Sequence, residues 1–157
     1  MERVKTVENP HPLESLFVSV AKLHFKRTQM IFNKIGLYPG QPPVLFALWR
    51  RDGLTQKELS EAVKVRPATM SVILQRLEKA GFIQRQPDQE DLRRSRVFLT
   101  NQGKEIRMEL EEALHQLEQE LFAGFTADEI SQAEIILAKM RDNLRRVLEE
   151  ECHAETD

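Results

Sequence analysis

The chain of 157 residues holds a single cysteine, Cys152. An internal disulfide and a multi-cysteine zinc site are thereby excluded, and this usage suits a reducing compartment. Long apolar runs are missing as well. The longest is Val44 to Trp49, far short of the roughly 20 residues that cross a bilayer. The start, Met1-Glu2-Arg3-Val4-Lys5, lacks the apolar core of a secretory signal. A cytoplasmic protein without membrane contact is expected. Glycine is scarce, with six residues scattered mostly at element ends, so there is no Gly-rich phosphate loop. His11, His24, His115 and His153 show no ligand spacing among themselves or with the cysteine, and no metal or cofactor is expected. Cys152 sits beside Glu149, Glu150 and Glu151, which disfavour a thiolate. With no pair of catalytic groups in evidence, the chain is not read as an enzyme.

What is present is a globular composition, 41% apolar and 31% charged, sized for one domain over 1–157. The net charge of -2 conceals an asymmetry. Residues 1–53 carry eight Lys/Arg against four acids, residues 54–100 nine against six, and residues 101–157 six against fifteen. A basic first two-thirds beside an acidic end points to one face for a polyanion, although an ordinary mixed surface would give similar numbers.

Glycine and proline punctuate the order of elements. Apolar residues from Leu13 to Ile35 recur at helical spacing and Gly36 closes them. Pro42 and Pro43 open a short helix that Gly53 ends. Thr55-Gln56-Lys57-Glu58 reads as a capping box. Lys64-Val65-Arg66 then leads to Pro67 at the head of another helix, which stops at Gly81. Residues 82–86 and 95–99 are strand-like, and the turn between them, 87–94, reads as too charged to be buried. From Thr100 the pattern is helical to about 149, broken at Gly124 and restarted by the capping box Thr126 to Glu129. The expected class is mainly α with a small β-hairpin, in the order α-α-α-α-β-β-α-α. This is a winged helix-turn-helix (helix-turn-helix about 55–80, wing about 82–99) flanked by dimerisation helices at about 13–35 and 101–149.

The second helix of the pair is the one that would enter a major groove. If Met70, Ile73, Leu74 and Leu77 face inward, the outer face presents Ala68, Ser71, Val72, Gln75 and Lys79, flanked by Thr69 and Arg76. Gln and Arg read base edges, Lys meets phosphate, and no carboxylate sits in the centre of that face. Lys57 and Arg66 are further phosphate candidates. A plain amphipathic helix with a solvated side would show the same pattern. On the hairpin, Arg85, Arg93, Arg94 and Arg96 cluster, and Asp91 precedes Arg93 by two residues, so its carboxylate is placed to orient that guanidinium. Surplus apolar stripes on the terminal helices predict association between two copies, with intramolecular packing as the alternative.

Leu77-Glu78-Lys79-Ala80-Gly81-Phe82-Ile83, Asp91-Leu92-Arg93 and Leu99-Thr100-Asn101-Gln102-Gly103 resemble the signature of MarR-type regulators (multiple antibiotic resistance regulators), over roughly residues 13–148. The resemblance implies a homodimer made by interleaving the first and last helices, acting on a double-stranded DNA operator. It implies a recognition helix from Arg66 to Lys79, and Arg93 as the wing arginine of the minor groove, supported by Asp91. Val72 departs from the polar or basic residue that many members carry, and contact with a thymine methyl suits it. Members often take aromatic or lipophilic effectors in a cleft beside the dimer helices. Phe17, His24, Tyr38 and Trp49 are candidates for such a pocket, or simply core. Some relatives sense oxidants through a cysteine near the start of the first helix. Residues 13–35 hold none here, so a small molecule is the expected signal. The reading is a sequence-specific, ligand-responsive repressor on a pseudo-palindromic operator. The alternative is a winged-helix module that binds protein partners and does not read DNA.

Overall fold

The computed structural model describes residues 11–89, 91 and 94–154, the last three of these by backbone alone. In chain order the elements are α1 (Pro12–Lys34), α2 (Pro42–Arg50), β1 (Leu54–Thr55), α3 (Gln56–Val63), α4 (Pro67–Lys79), β2 (Ile83–Pro87), β3 (Ser95–Leu99), α5 (Asn101–Leu121) and α6 (Ala127–Ala154). Two compact units divide the chain, Met1–Leu117 and Glu118–Asp157.

The helix boundaries of the first unit follow from local chemistry. Thr55 and Glu58 form a reciprocal capping box: the Glu58 N–H donates to Thr55 Oγ1, and Glu58 Oε2 accepts from the Thr55 N–H. This satisfies two of the four N–H groups that a helix start leaves without partners. α4 begins on Pro67, whose missing N–H costs nothing there, and ends on Gly81 in the left-handed region (φ +81). There the Phe82 N–H reaches the Leu77 carbonyl at 3.0 Å and the Gly81 N–H the Glu78 carbonyl at 3.0 Å, a Schellman closure. Gly81 thus aims the chain from the helix into β2.

The sheet order is β1-β3-β2, all antiparallel, with Leu54 opposite Val97 and Ile83 opposite Leu99. The strand β1 is an addition to the expected order. Two residues are too few to show an alternation, and β1 exists only through pairing with Val97 and Arg96. The core gathers α1's last turns (Ile31, Phe32), α2 (Val44, Leu45, Leu48), Leu59, Met70, Leu74, Leu77, the strands, and Ile106 and Leu110 of α5.

Thr100 fixes how α5 leaves the sheet. Its hydroxyl donates to the Gly81 carbonyl at 2.5 Å and accepts from the Gly103 N–H at 3.0 Å. Gly103 lies so close beneath the chain that an added Cβ would stand 1.9 Å from the Phe82 carbonyl oxygen. No side chain fits. Trp49 completes the junction by donating from Nε1 to the Gly103 carbonyl at 2.9 Å.

In the second unit, Thr126 and Glu129 repeat the capping box at the start of α6. α6 continues to Ala154, past the end near 149 expected from the apolar stripe. Glu149, Glu150 and Glu151 are good helix formers and extend the helix without apolar anchoring.

Candidate nucleic-acid interface

The α4 helix presents two chemically different sides. Met70, Leu74 and Leu77 are buried and Ile73 is half-buried, while Ala68, Thr69, Ser71, Val72, Gln75, Arg76 and Lys79 are all exposed. The only carboxylate of α4, Glu78, lies 3.3 Å from Arg85 Nε of β2. The outer face is therefore free of negative charge at its centre, with small side chains in its first turns and Gln75, Arg76 and Lys79 further along.

Arg66 stands exposed at the N-cap of α4. Lys57 is exposed on α3, its Nζ 4.0 Å from Glu61 Oε1, a loose surface pair of little energetic consequence. A cleft of about 310 Å³ joins α3 to the wing and is lined by Thr55, Gln56, Lys57, Arg94 and Ser95. Two predicted contact residues, Lys57 and Arg94, thus share one opening. Gln56 and Ser95 were not singled out in the sequence, where Gln56 is just the second residue of a capping box. In the fold Gln56 also donates from Nε2 to the Pro67 carbonyl at 3.3 Å, linking α3 to the first turn of α4. Glu58 is held below the usual carboxylate range by the Thr55 backbone N–H first and the Thr55 hydroxyl second, with Arg51 adding to the effect and burial opposing it.

The wing corrects two expectations. The turn 87–94 is not wholly exposed: Asp88 is 4% exposed and receives Arg96, with Arg96 Nε 2.5 Å from Asp88 Oδ2. Arg96 also donates from Nη1 to the Gly53 carbonyl at 3.0 Å. Arg85 is turned to Glu78. These two arginines brace the hairpin and are not presented as a free basic cluster, because strand alternation turns Arg85 to the face of Ile83 and Val97 while pairing with β1 brings the Gly53 carbonyl to Arg96. Arg94 remains exposed, its Nε 3.2 Å from Asp91 Oδ2. Arg93 lies outside the described residues, so the expected Asp91–Arg93 support does too.

The four candidate effector residues lie in different surroundings. Phe17 and His24 are exposed on α1. Trp49 is half-buried against Phe46, with ring centroids 5.3 Å apart, and carries Arg107 over its face. Tyr38, in the loop before α2, lies beneath the guanidinium of Arg76. Among the described residues no cluster of three His, Cys, Asp or Glu could hold a metal ion, and no helix is long and apolar enough to cross a membrane.

Comparison with known proteins matches this geometry. The model of the MarR family matches residues 37–95. The uncharacterized HTH-type transcriptional regulator YybA of Bacillus subtilis is 32% identical over 116 residues, covering 73% of this chain and 77% of that protein. The B. subtilis regulator YwaE is 31% identical over 130 residues, covering 83% and 76%. Among solved structures, a mutant MarR from E. coli complexed with operator DNA superposes with a TM-score of 0.69 at 27% identity, over 82% of this chain and 93% of that one. The matched stretch runs from Leu37 through the helix pair to the start of β3, and the chain belongs to the MarR family of winged-helix, DNA-binding transcriptional regulators.

Proposed function

We propose that the chain represses transcription as a homodimer bound to a pseudo-palindromic operator, and that a small lipophilic or aromatic molecule releases it. The observation that carries the reading is the outer face of α4, where seven exposed residues, Ala68, Thr69, Ser71, Val72, Gln75, Arg76 and Lys79, include no carboxylate. Gln75 and Arg76 are the base readers, and Val72 meets a thymine methyl. Lys57, Arg66 and Lys79 set affinity through phosphates. The cleft shared by Lys57 and Arg94 suits a phosphate passing between helix pair and wing, while Arg93, with Asp91, enters the minor groove.

Two reading heads support two half-sites about 10 bp, or one helical turn, apart. The dimer is supported by α1, where Leu13, Leu16, Phe17, Val20 and Leu23 are exposed, Leu13 by 77% and Leu23 by 65%. An isolated helix face of that kind is far more apolar than water favours. The signal acts by changing the spacing of the two heads, which requires a ligand that binds one spacing better than the other. A cytoplasmic location follows from this role.

The test is selection of bound sequences from random DNA, followed by salt titration on the selected site and release assays with candidate compounds. A pseudo-palindrome should emerge. With roughly 6–10 phosphates contacted, affinity should fall by about 10³ to 10⁵ between 50 and 200 mM salt. No enriched sequence together with a flat salt response overturns DNA reading and favours a protein-binding module.

A further inference from the structure

The guanidinium carbon of Arg76 lies 5.9 Å from the centroid of the Tyr38 ring. One residue comes from the third turn of α4 and the other from the loop between α1 and α2, 38 positions earlier in the chain. The loop that carries Tyr38 is hydrogen-bonded to itself: the Tyr38 N–H donates to Gln41 Oε1 at 2.7 Å, and the Gln41 N–H returns to the Tyr38 carbonyl at 3.1 Å. Gln41 is buried, as are Leu37 just before Tyr38 and Pro42 at the start of α2. Tyr38 as a whole stays exposed, by 46%, so nothing in the core requires an aromatic residue there.

We propose that Tyr38 is a positioning residue for DNA reading: its ring holds the Arg76 guanidinium at the edge of the α4 outer face. This rests on the function proposed above and names a further residue of that site. A free arginine side chain samples many rotamers and loses that freedom when it pairs with a base edge. The negative face of a tyrosine ring attracts the cation within about 6 Å and narrows those rotamers beforehand. The loop supplies a platform that does not itself have to be ordered on binding, so the loss of freedom is met during folding. Because Tyr38 sits outside α4, it acts on Arg76 without competing for the groove.

The experiment is a double-mutant cycle on the sequence that the parent selects, using Tyr38→Phe, Tyr38→Leu, Tyr38→Gln and Arg76→Ala. Tyr38→Phe, which keeps the ring face, should bind like the parent. Tyr38→Leu and Tyr38→Gln should bind about two- to five-fold more weakly per reading head, with thermal melts unchanged. They should also relax preference at the same base position as Arg76→Ala, which a merely structural role would not do. On the Arg76→Ala background neither Tyr38 change should weaken binding further. Additive losses, stronger binding by Tyr38→Leu, or failure of Tyr38→Phe to retain affinity overturns the positioning role while leaving DNA reading intact. A parent that selects no sequence overturns both.

Discussion

Arg96 closes the turn end of the hairpin on a carboxylate that water barely reaches: its Nε lies 2.5 Å from Asp88 Oδ2, and the Asp88 side chain is 5% exposed. The two ends of the pair are not equivalent. Asp88 without Arg96 keeps the Asp91 N–H on its Oδ1 at 3.3 Å but loses the cation that balances its buried charge, whereas Arg96, 38% exposed, can turn to solvent. Arg96→Ala is therefore expected to cost about 2–3 kcal/mol of unfolding free energy, below the usual figure for a fully buried pair because one partner is partly hydrated. Denaturant unfolding monitored through Trp49 checks this. Loss of less than half a kcal/mol would show that the pair does not brace the wing.

The same residues show what was legible in the sequence and what was not. Thr55 with Glu58, Pro67 with Gly81, and Thr126 with Glu129 are signals between near neighbours, so capping and punctuation could be read directly. The outer and inner sides of α4 were legible because a helix repeats every 3.6 residues. Arg85, Arg94 and Arg96 look alike in sequence, yet they part company in the fold. Arg85 lies two residues from buried Ile83 and opposite buried Val97, so strand alternation was a usable signal that it turns inward. Arg96 had no such signal. Its partners are the Gly53 carbonyl, 43 positions away, and a buried Asp88 in a turn whose composition reads as solvated. Pairing across that distance is decided by β1, which is too short to announce itself.

The Thr100-to-Gly103 turn carries a sharper expectation. An added methyl at Gly103 would meet the Phe82 carbonyl oxygen at 1.9 Å, and that oxygen belongs to the backbone, so it cannot swing aside as the end of a side chain can. Gly103→Ala should therefore displace the start of α5, disturb the Trp49 bond to the Gly103 carbonyl, and cost at least about 3 kcal/mol. A thermal melt with Trp49 fluorescence reads both effects. By contrast, Thr100→Ser keeps the hydroxyl that bonds Gly81 and Gly103 and should stay near the parent. Equal stability of Gly103→Ala and parent would remove the close-approach explanation.

The capping box at α3 predicts an acid-sensitive step. Glu58 titrates below its usual range because its carboxylate accepts from the Thr55 N–H and hydroxyl. A folded-state value depressed below the unfolded one gives stability that is present above the unfolded value, near pH 4.3, and lost as pH falls through the folded one. Glu58→Gln should flatten stability against pH in that acid window. Thr55→Ala should cost about 1 kcal/mol near neutral pH. Unfolding curves from pH 3 to 7 make the comparison. An unchanged acid slope in Glu58→Gln would mean that the cap does not carry it.

Affinity and selectivity should separate on the α4 face. Lys79→Ala removes a charge with no base-reading geometry, so it should weaken binding to selected and random DNA alike and lower the salt slope by about one. Gln75→Ala should cost about 1–3 kcal/mol on the selected sequence and relax one position in each half-site. Fluorescence anisotropy on both DNAs at several salt concentrations distinguishes the two. Identical behaviour of the two variants would contradict the division of the face into readers and anchors.

The apolar stripe on α1 supplies a test of association that leaves the reading head untouched. Leu16 is 60% exposed in the single chain, so Leu16→Glu should change the stability of an isolated subunit by no more than about 0.5 kcal/mol. In a dimer seam the same glutamate would be an unpaired charge removed from water, at a cost of several kcal/mol. The dimer dissociation constant should rise by at least about tenfold, seen by analytical ultracentrifugation. Binding to a full operator should then fall toward that of one half-site, because two heads held together gain from effective concentration and two separate heads do not. Leu16→Met, which keeps the apolar surface, should remain dimeric and bind normally. A parent that sediments as a monomer at micromolar concentration, or a glutamate variant that stays dimeric, would place the seam elsewhere or remove it.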